Sequence, residues 1–337
     1  MVTGNGTAHH GLNGAAPSPG DHTITGTLAS NGIELSYTID GPRDGEPLVM
    51  IMGLGGQLCD WPQGLVDRLA AAGFRVIRFD NRDAGLSTAT DTPPPSMAAS
   101  ARAAVVRRGA TASYTLADLA GDTVGLLDGL GVERAHIVGM SMGGMIAQEF
   151  TIRFPERVRS LTSIMSNTGD RRHGLPASRQ LVRLLALLRT TPEAVDAPET
   201  LTAAAELVAG TDWDRAAAEQ RLRRSVARSY RPDGTAHQAA AIAVSPDRTE
   251  RLGAVAVPTL VVHGLDDTLV SPSGGVATAR AVRGSRLLMF PGMGHDLPAT
   301  RWDELTEAIT TNAGRAEPLS VDEPAVDLVG PVQLTVT

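Results

Sequence analysis

The chain has 337 residues, 42% of them hydrophobic and 20% charged, with a formal net charge of −7. That length holds one large domain or two modest ones and buries enough surface to fold without staples. The acidic balance argues against nucleic acid as the main partner, because phosphate binding needs a basic face. The one cysteine, Cys59, excludes an intramolecular disulfide.

Residues 1–21 are rich in Gly, His, Asn, Ser and Pro and read as a disordered tail. They show no basic stretch leading into an apolar run, so no secretory signal is expected. No apolar stretch reaches the ~18 residues of a membrane span, and a cytoplasmic protein is the expectation. Thr23–Leu28 and Ile33–Ile39 follow with no helix between them and read as an antiparallel pair. Leu48–Met52 is a short apolar run, and Asp60–Ala72 is a helical segment. Arg75–Phe79 is the next run. Thr90–Ser113, with Pro93-Pro94-Pro95 and Arg107-Arg108, reads as a loop insertion.

Thr115–Leu130 carries the clearest helical spacing, with Leu116, Leu119, Ala120, Thr123, Leu127 and Leu130 on one face. Thr115 can cap it, Asp118 lies three residues on, and Gly131 can close it. Ala135–Val138, Leu161–Met165, Thr259–Val262 and Arg286–Phe290 are further runs of the kind that fills strands buried on both faces. Asn167–Gly253 breaks the alternation. It is Leu-, Ala- and Arg-rich with helical spacing, at Leu181–Leu188, Leu201–Val208 and Asp212–Tyr230. The reading is an α/β fold with an eight-stranded, mostly parallel sheet flanked by helices. Residues 22–313 form the domain, a helical cap at about 167–253 is inserted in it, and residues 314–337 form a flexible tail.

Gly139-Met140-Ser141-Met142-Gly143 matches G-x-S-x-G. A strand-like His136-Ile137-Val138 precedes it and a helix-like Gly144–Phe150 follows. A plain glycine-rich turn is the bland alternative, and the strand and helix around the motif argue against it. A serine on such a turn is strained, and the flanking glycines remove side chains that would clash. The N–H of Met142 lies at a helix N-terminus, where it can stabilise an oxyanion.

A serine hydroxyl needs a base. Of eight histidines only His295 lies after the last strand, in Gly292-Met293-Gly294-His295-Asp296. A surface loop histidine is the alternative there. His136 and His263 sit at strand positions and read as packing histidines. His9, His10 and His22 belong to the tail, and His173 and His237 to the insertion. An orienting acid should follow the strand Thr259–Val262. Asp266 and Asp267 compete, and the G-x-x-D spacing from Gly264 favours Asp267, with Asp266 left as a turn former.

The second oxyanion donor is expected in Met52-Gly53-Leu54-Gly55-Gly56-Gln57, at the N–H of Leu54. A flexible turn needed only for packing is the alternative. Asp80–Ser87 is dense in charge and reads as ions that pair locally and shape the loop beside the site; binding of an anionic substrate is the alternative. Cys59 has no histidine local to it and reads as a packed thiol.

These pieces together resemble the α/β-hydrolase fold family. The resemblance rests on Gly-Met-Ser-Met-Gly-Gly at 139–144, Phe-Asp-Asn-Arg-Asp-Ala-Gly-Leu-Ser at 79–87, Gly-Leu-Asp-Asp at 264–267 and Pro-Gly-Met-Gly-His at 291–295. It covers about residues 25–312. The chain resembles actinobacterial carboxylesterases, including the mycobacterial lipase/esterase group, and more distantly the aclacinomycin methylesterase. The run 161–169 resembles the mycobacterial group in particular. The resemblance implies a triad of Ser141, Asp267 and His295, with Leu54 and Met142 as oxyanion donors. In place of the His-Gly that opens the oxyanion loop in many relatives, this chain has Met52-Gly53.

The expected activity is hydrolysis of small to medium hydrophobic esters, with no metal or organic cofactor. A carboxylate at the elbow would be needed for an epoxide hydrolase or haloalkane dehalogenase, and Ser141 argues against both. Methylesterase, thioesterase, cofactor-free peroxidase and acyltransferase chemistry all keep the same triad. A low-turnover ligand receptor is the reading from a different class. The oligomeric state is not legible in the residues.

Overall fold

The computed structural model describes residues 23–95, 111–175, 193–316 and 326–329. Within them, β1 (Ile24–Ser30) and β2 (Ile33–Asp40) form the expected antiparallel hairpin. It is followed by β3 (Glu46–Ile51), α1 (Gln63–Ala71), β4 (Phe74–Phe79) and α2 (Leu116–Gly129). Next come β5 (Ala135–Met140), α3 (Met142–Arg153) and β6 (Val158–Ile164). Among the described residues, four helices then follow, α4 (Ala197–Glu206), α5 (Arg215–Arg228), α6 (Pro232–Val244) and the short α7 (Thr249–Leu252). The sheet resumes with β7 (Thr259–Gly264), α8 (Ser273–Ala281), β8 (Ser285–Phe290), α9 (Trp302–Ala313) and β9 (Val326–Val329).

The strand order is β1-β2-β4-β3-β5-β6-β7-β8-β9. β2 pairs antiparallel with β1 and β4, and every later pairing is parallel. The mostly parallel eight-stranded sheet is therefore as expected, with one strand added. β9 lies in the segment 314–337 that the residues alone placed in a tail, and it pairs parallel to β8 at the sheet edge.

Helices cover both faces, so the strands carry apolar residues on each side. In β3, Val49 and Ile51 join the core under α2 and α3, while Leu48 and Met50 join the core under α1 and α9. α2 forms where its pattern placed it. Thr115 accepts the N–H of Ala117, and Asp118 receives the N–H of Thr115, so the capping box is closed. Leu116, Leu119, Ala120, Thr123 and Leu127 are buried. α1 begins at Gln63, three residues later than expected, because Leu58–Asp60 makes a 3-10 turn and Pro62 starts the helix.

The insertion between β6 and β7 is helical, with α4 and α5 at two of the three stretches expected. The third, Leu181–Leu188, lies outside the described residues, as do most of the loop insertion with Arg107-Arg108 and the first 22 residues. No helix among the described residues is long and apolar enough to cross a membrane.

Candidate active site

The parallel strands bring four loops to one edge of the sheet, the carboxyl ends of β3, β5, β7 and β8. Open α/β sheets place ligands at this edge. Ser141 leaves β5 and caps α3 at φ 56° and ψ −120°, a region costly for any residue with a Cβ. The turn is held from both sides. The Ser141 N–H donates to Ile164 O at 2.8 Å, and its own carbonyl accepts from Gly144 at 3.0 Å and Met145 at 3.2 Å.

The flanking glycines are sterically required. A Cβ on Gly143 would stand 1.9 Å from Ile51 O, and one on Gly139 2.1 Å from Gly143 O. The side chain of Ser141 faces the β3 loop, since a Cβ on Gly53 would lie 3.1 Å from Ser141 Cβ and 3.6 Å from Oγ. Among the described residues neither the Leu54 N–H nor the Met142 N–H donates to a protein acceptor. Both remain available to a guest.

Of the two competing carboxylates, the structure brings Asp267 to His295. His295 Nδ1 lies 2.7 Å from Asp267 Oδ2. A carboxylate only accepts, so Nδ1 carries the proton and Nε2 keeps its lone pair. Asp267 Oδ1 accepts the N–H groups of Leu269 at 2.9 Å and Val270 at 2.8 Å. Burial opposes its ionisation, but the imidazoles of His295 and His263 outweigh that and hold the carboxyl down at about 2. Asp266 is exposed and only its N–H is engaged, by Met293 O.

Several contributors were not legible in the residues. His263 packs as expected, yet its Nε2 also lies 3.4 Å from Asp267 Oδ2 while donating to Val270 O at 2.8 Å. It is a second neighbour of the acid. His136 behaves as a plain packing histidine between Ser160 and Glu46. The loop after β3, Met52–Gln57, expected to supply an oxyanion donor, is held by side chains far away in sequence. Gln238 of α6 accepts the Gly55 N–H at 2.8 Å, and Asn81 donates to Met52 O at 3.0 Å. Gln57 donates to Ser225 O and Ser229 O at the end of α5.

The charged run Asp80–Ser87 does shape the loop beside the site, and its pairs also reach farther than expected. Asp80 accepts Leu58 N–H and pairs with Arg228 of α5, while Arg82 pairs with Asp122 of α2. Cys59 is half-buried, and burial with the Asp60 carboxylate pushes its thiol up, as a packed thiol requires.

The histidine loop is bound to the segment after α4. His295 N–H donates to Val208 O at 2.7 Å and Asp212 N–H to Gly292 O at 3.0 Å. Asp296 Oδ1 accepts Gly294 N–H at 2.9 Å and Gly210 N–H at 3.2 Å, on either side of that seam. Among the described residues no group of three or more His, Cys, Asp or Glu could hold a metal ion.

The profile of the alpha/beta hydrolase fold matches residues 46–300. The chain belongs to the α/β-hydrolase fold family. This hydrolase is 32% identical to RutD of Variovorax paradoxus, named for carbamate hydrolysis, over 77% of its own length and 89% of RutD. It is 28% identical to the rhodomycin D methylesterase DnrP of Streptomyces peucetius, over 83% of its length and 95% of DnrP. Among solved structures, the enol-lactonase of Burkholderia xenovorans superposes with a TM-score of 0.64 at 24% identity, covering 86% of this chain and 100% of the other. That last likeness speaks to the fold alone. The family and these relatives make the chain a hydrolase; the bond it cuts is a separate question.

Proposed function

We propose that this hydrolase is a serine esterase that cleaves carboxylic esters of small to medium hydrophobic substrates through an acyl-enzyme. The observation that carries the reading is Ser141 at φ 56° on the strand-to-helix turn, turned toward the oxyanion loop, on the sheet edge that also carries the His295–Asp267 pair. His295 Nε2 takes the proton of Ser141 Oγ, and Oγ attacks the ester carbonyl carbon. The carbonyl oxygen becomes an oxyanion held by the N–H groups of Leu54 and Met142, each worth about 3 kcal/mol in the transition state. The imidazolium then protonates the departing alcohol. Water enters, gives its proton to Nε2, and releases the acid as Ser141 recovers its own proton. Asp267 stays ionised throughout and steadies the charged imidazole. No step calls for a metal or organic cofactor.

A fluorophosphonate probe and p-nitrophenyl esters of increasing chain length test this, on wild type and Ser141→Ala. Wild type should be labelled and turn over the esters, and Ser141→Ala should do neither. Labelling or turnover that survives in Ser141→Ala would sink the assignment. A second reading, demethylation of a methyl ester on a larger acid, is favoured by the likeness to DnrP across 95% of that protein. Methanol release from methyl esters of bulky acids, at higher kcat/KM than from p-nitrophenyl esters, would select it.

A further inference from the structure

A cavity of about 580 Å³ lies where α1, α5, the start of α9 and strands β1, β2 and β4 meet. Its wall includes neither Ser141, Asp267 and His295 nor the proposed oxyanion donors. Its volume is in the range of small-molecule sites. The chain has three tryptophans, and all of them, Trp61, Trp213 and Trp302, line this one cavity. Trp61 is buried in the core and Trp302 packs against the same core, but Trp302 and Trp213 are only half-buried, so part of each ring is left open at the cavity. Indole faces are the surfaces that planar apolar groups pack on best.

One side of the wall is cationic. Arg221 and Arg224 stand three residues apart on α5, hence on one face of the helix, and both line the cavity. Burial lowers the Arg221 pKa against the pull of Asp60 and Asp296, and the neighbouring Arg224 adds to the lowering. Arg224 makes no ion pair among the described residues. Two guanidinium groups that repel each other gain from an anion set between them.

We propose that this cavity is a binding site, separate from the catalytic centre, for a planar aromatic carboxylate. The ring system lies against Trp213 and Trp302 and the carboxylate meets Arg221 and Arg224. Asp296 belongs both to this wall and to the hydrogen bonds that hold the His295 loop, so an occupant would sit directly behind that loop.

The test uses the full chain and 2-naphthoate, by isothermal titration calorimetry and by tryptophan emission. Saturable binding with a change in emission is expected, since every indole lies at the site. Ala217 is exposed on α5 and lines the cavity, so Ala217→Phe fills it and should abolish binding. Arg224→Gln should weaken binding about tenfold, as loss of a charge-assisted contact would, and uncharged 2-naphthamide should bind wild type about as weakly. Ser141→Ala should bind as wild type does. Absence of saturable binding to wild type would overturn the proposal. So would binding that Arg224→Gln and a folded Ala217→Phe leave unchanged, and so would binding lost in Ser141→Ala, which would place the ligand at the catalytic centre. Circular dichroism melts identify a misfolded Ala217→Phe, and Arg224→Gln then decides alone.

Discussion

Asp267 is 3% exposed and receives two main-chain N–H groups and the His295 ring, whereas Asp266 beside it faces solvent. Asp267→Asn removes the charge that steadies an imidazolium and favours the wrong tautomer of His295. Ester turnover should fall about 10³- to 10⁴-fold in kcat, and Asp266→Asn should stay within a few-fold of wild type. Steady-state kinetics on the two variants checks this, and the reverse ranking would move the acid to Asp266. The same carboxyl titrates at about 2 in the folded chain, below its ordinary 3.8. Its ionisation therefore stabilises the fold by about 2 kcal/mol above pH ~4, and that contribution is lost as pH falls toward 2. Urea melts between pH 5 and 2.5 should show less acid sensitivity in Asp267→Asn than in wild type. The elbow allows a third test. Gly143→Ala puts a methyl against Ile51 O, so the turn must open, and loss of both phosphonate labelling and several kcal/mol of stability is expected.

At the scale of elements, what neighbouring residues decide is legible in the chain, and what distant residues decide is not. Strand, G-x-S-x-G and helix are contiguous, so the residues of the elbow announce their own geometry. α2 carried its cap, its apolar face and its stop within 17 residues of sequence. The supports of the oxyanion loop had no such signature. Gln238 lies 183 positions from Gly55, and nothing about an isolated glutamine in a helical stretch points to a glycine loop. Asp296 was visible as the neighbour of His295, but its partner Gly210 was not. β9 is four residues long, too short to show alternation, and its pairing is decided by the open edge of β8. Gln238→Ala removes the acceptor of the Gly55 N–H and the donor to Arg82 O. It should lower kcat on p-nitrophenyl esters about tenfold with KM little changed, because a loosened oxyanion loop weakens the transition state more than the ground state. An equal rise in KM at constant kcat would mean that Gln238 serves substrate binding instead.

Across the whole molecule, the inserted helices are fastened to the body at both halves of the proposed catalytic centre. Gln238 and the end of α5 hold the oxyanion loop, and Val208–Asp212 holds the histidine loop. Hydrogen exchange should therefore show the amides of Gly55, Asp212 and His295 protected together, opening in one step with the carboxyl-end loops of the sheet rather than with an independently moving cap. Fast exchange at Asp212 and His295 beside a protected β8 would contradict this.

That stitching bears on how such a protein can be rebuilt. Exchanging caps between members of this fold treats the inserted helices as a module with a clean seam. Here the seam runs through the proposed catalytic centre. A transplanted cap lacking a short chain segment equivalent to Val208–Asp212, and an amide side chain where Gln238 stands, would leave the histidine loop and the oxyanion loop each without a wall. A chimera designed for this scaffold has to carry those contacts with it, and specificity can be altered only as far as they are kept.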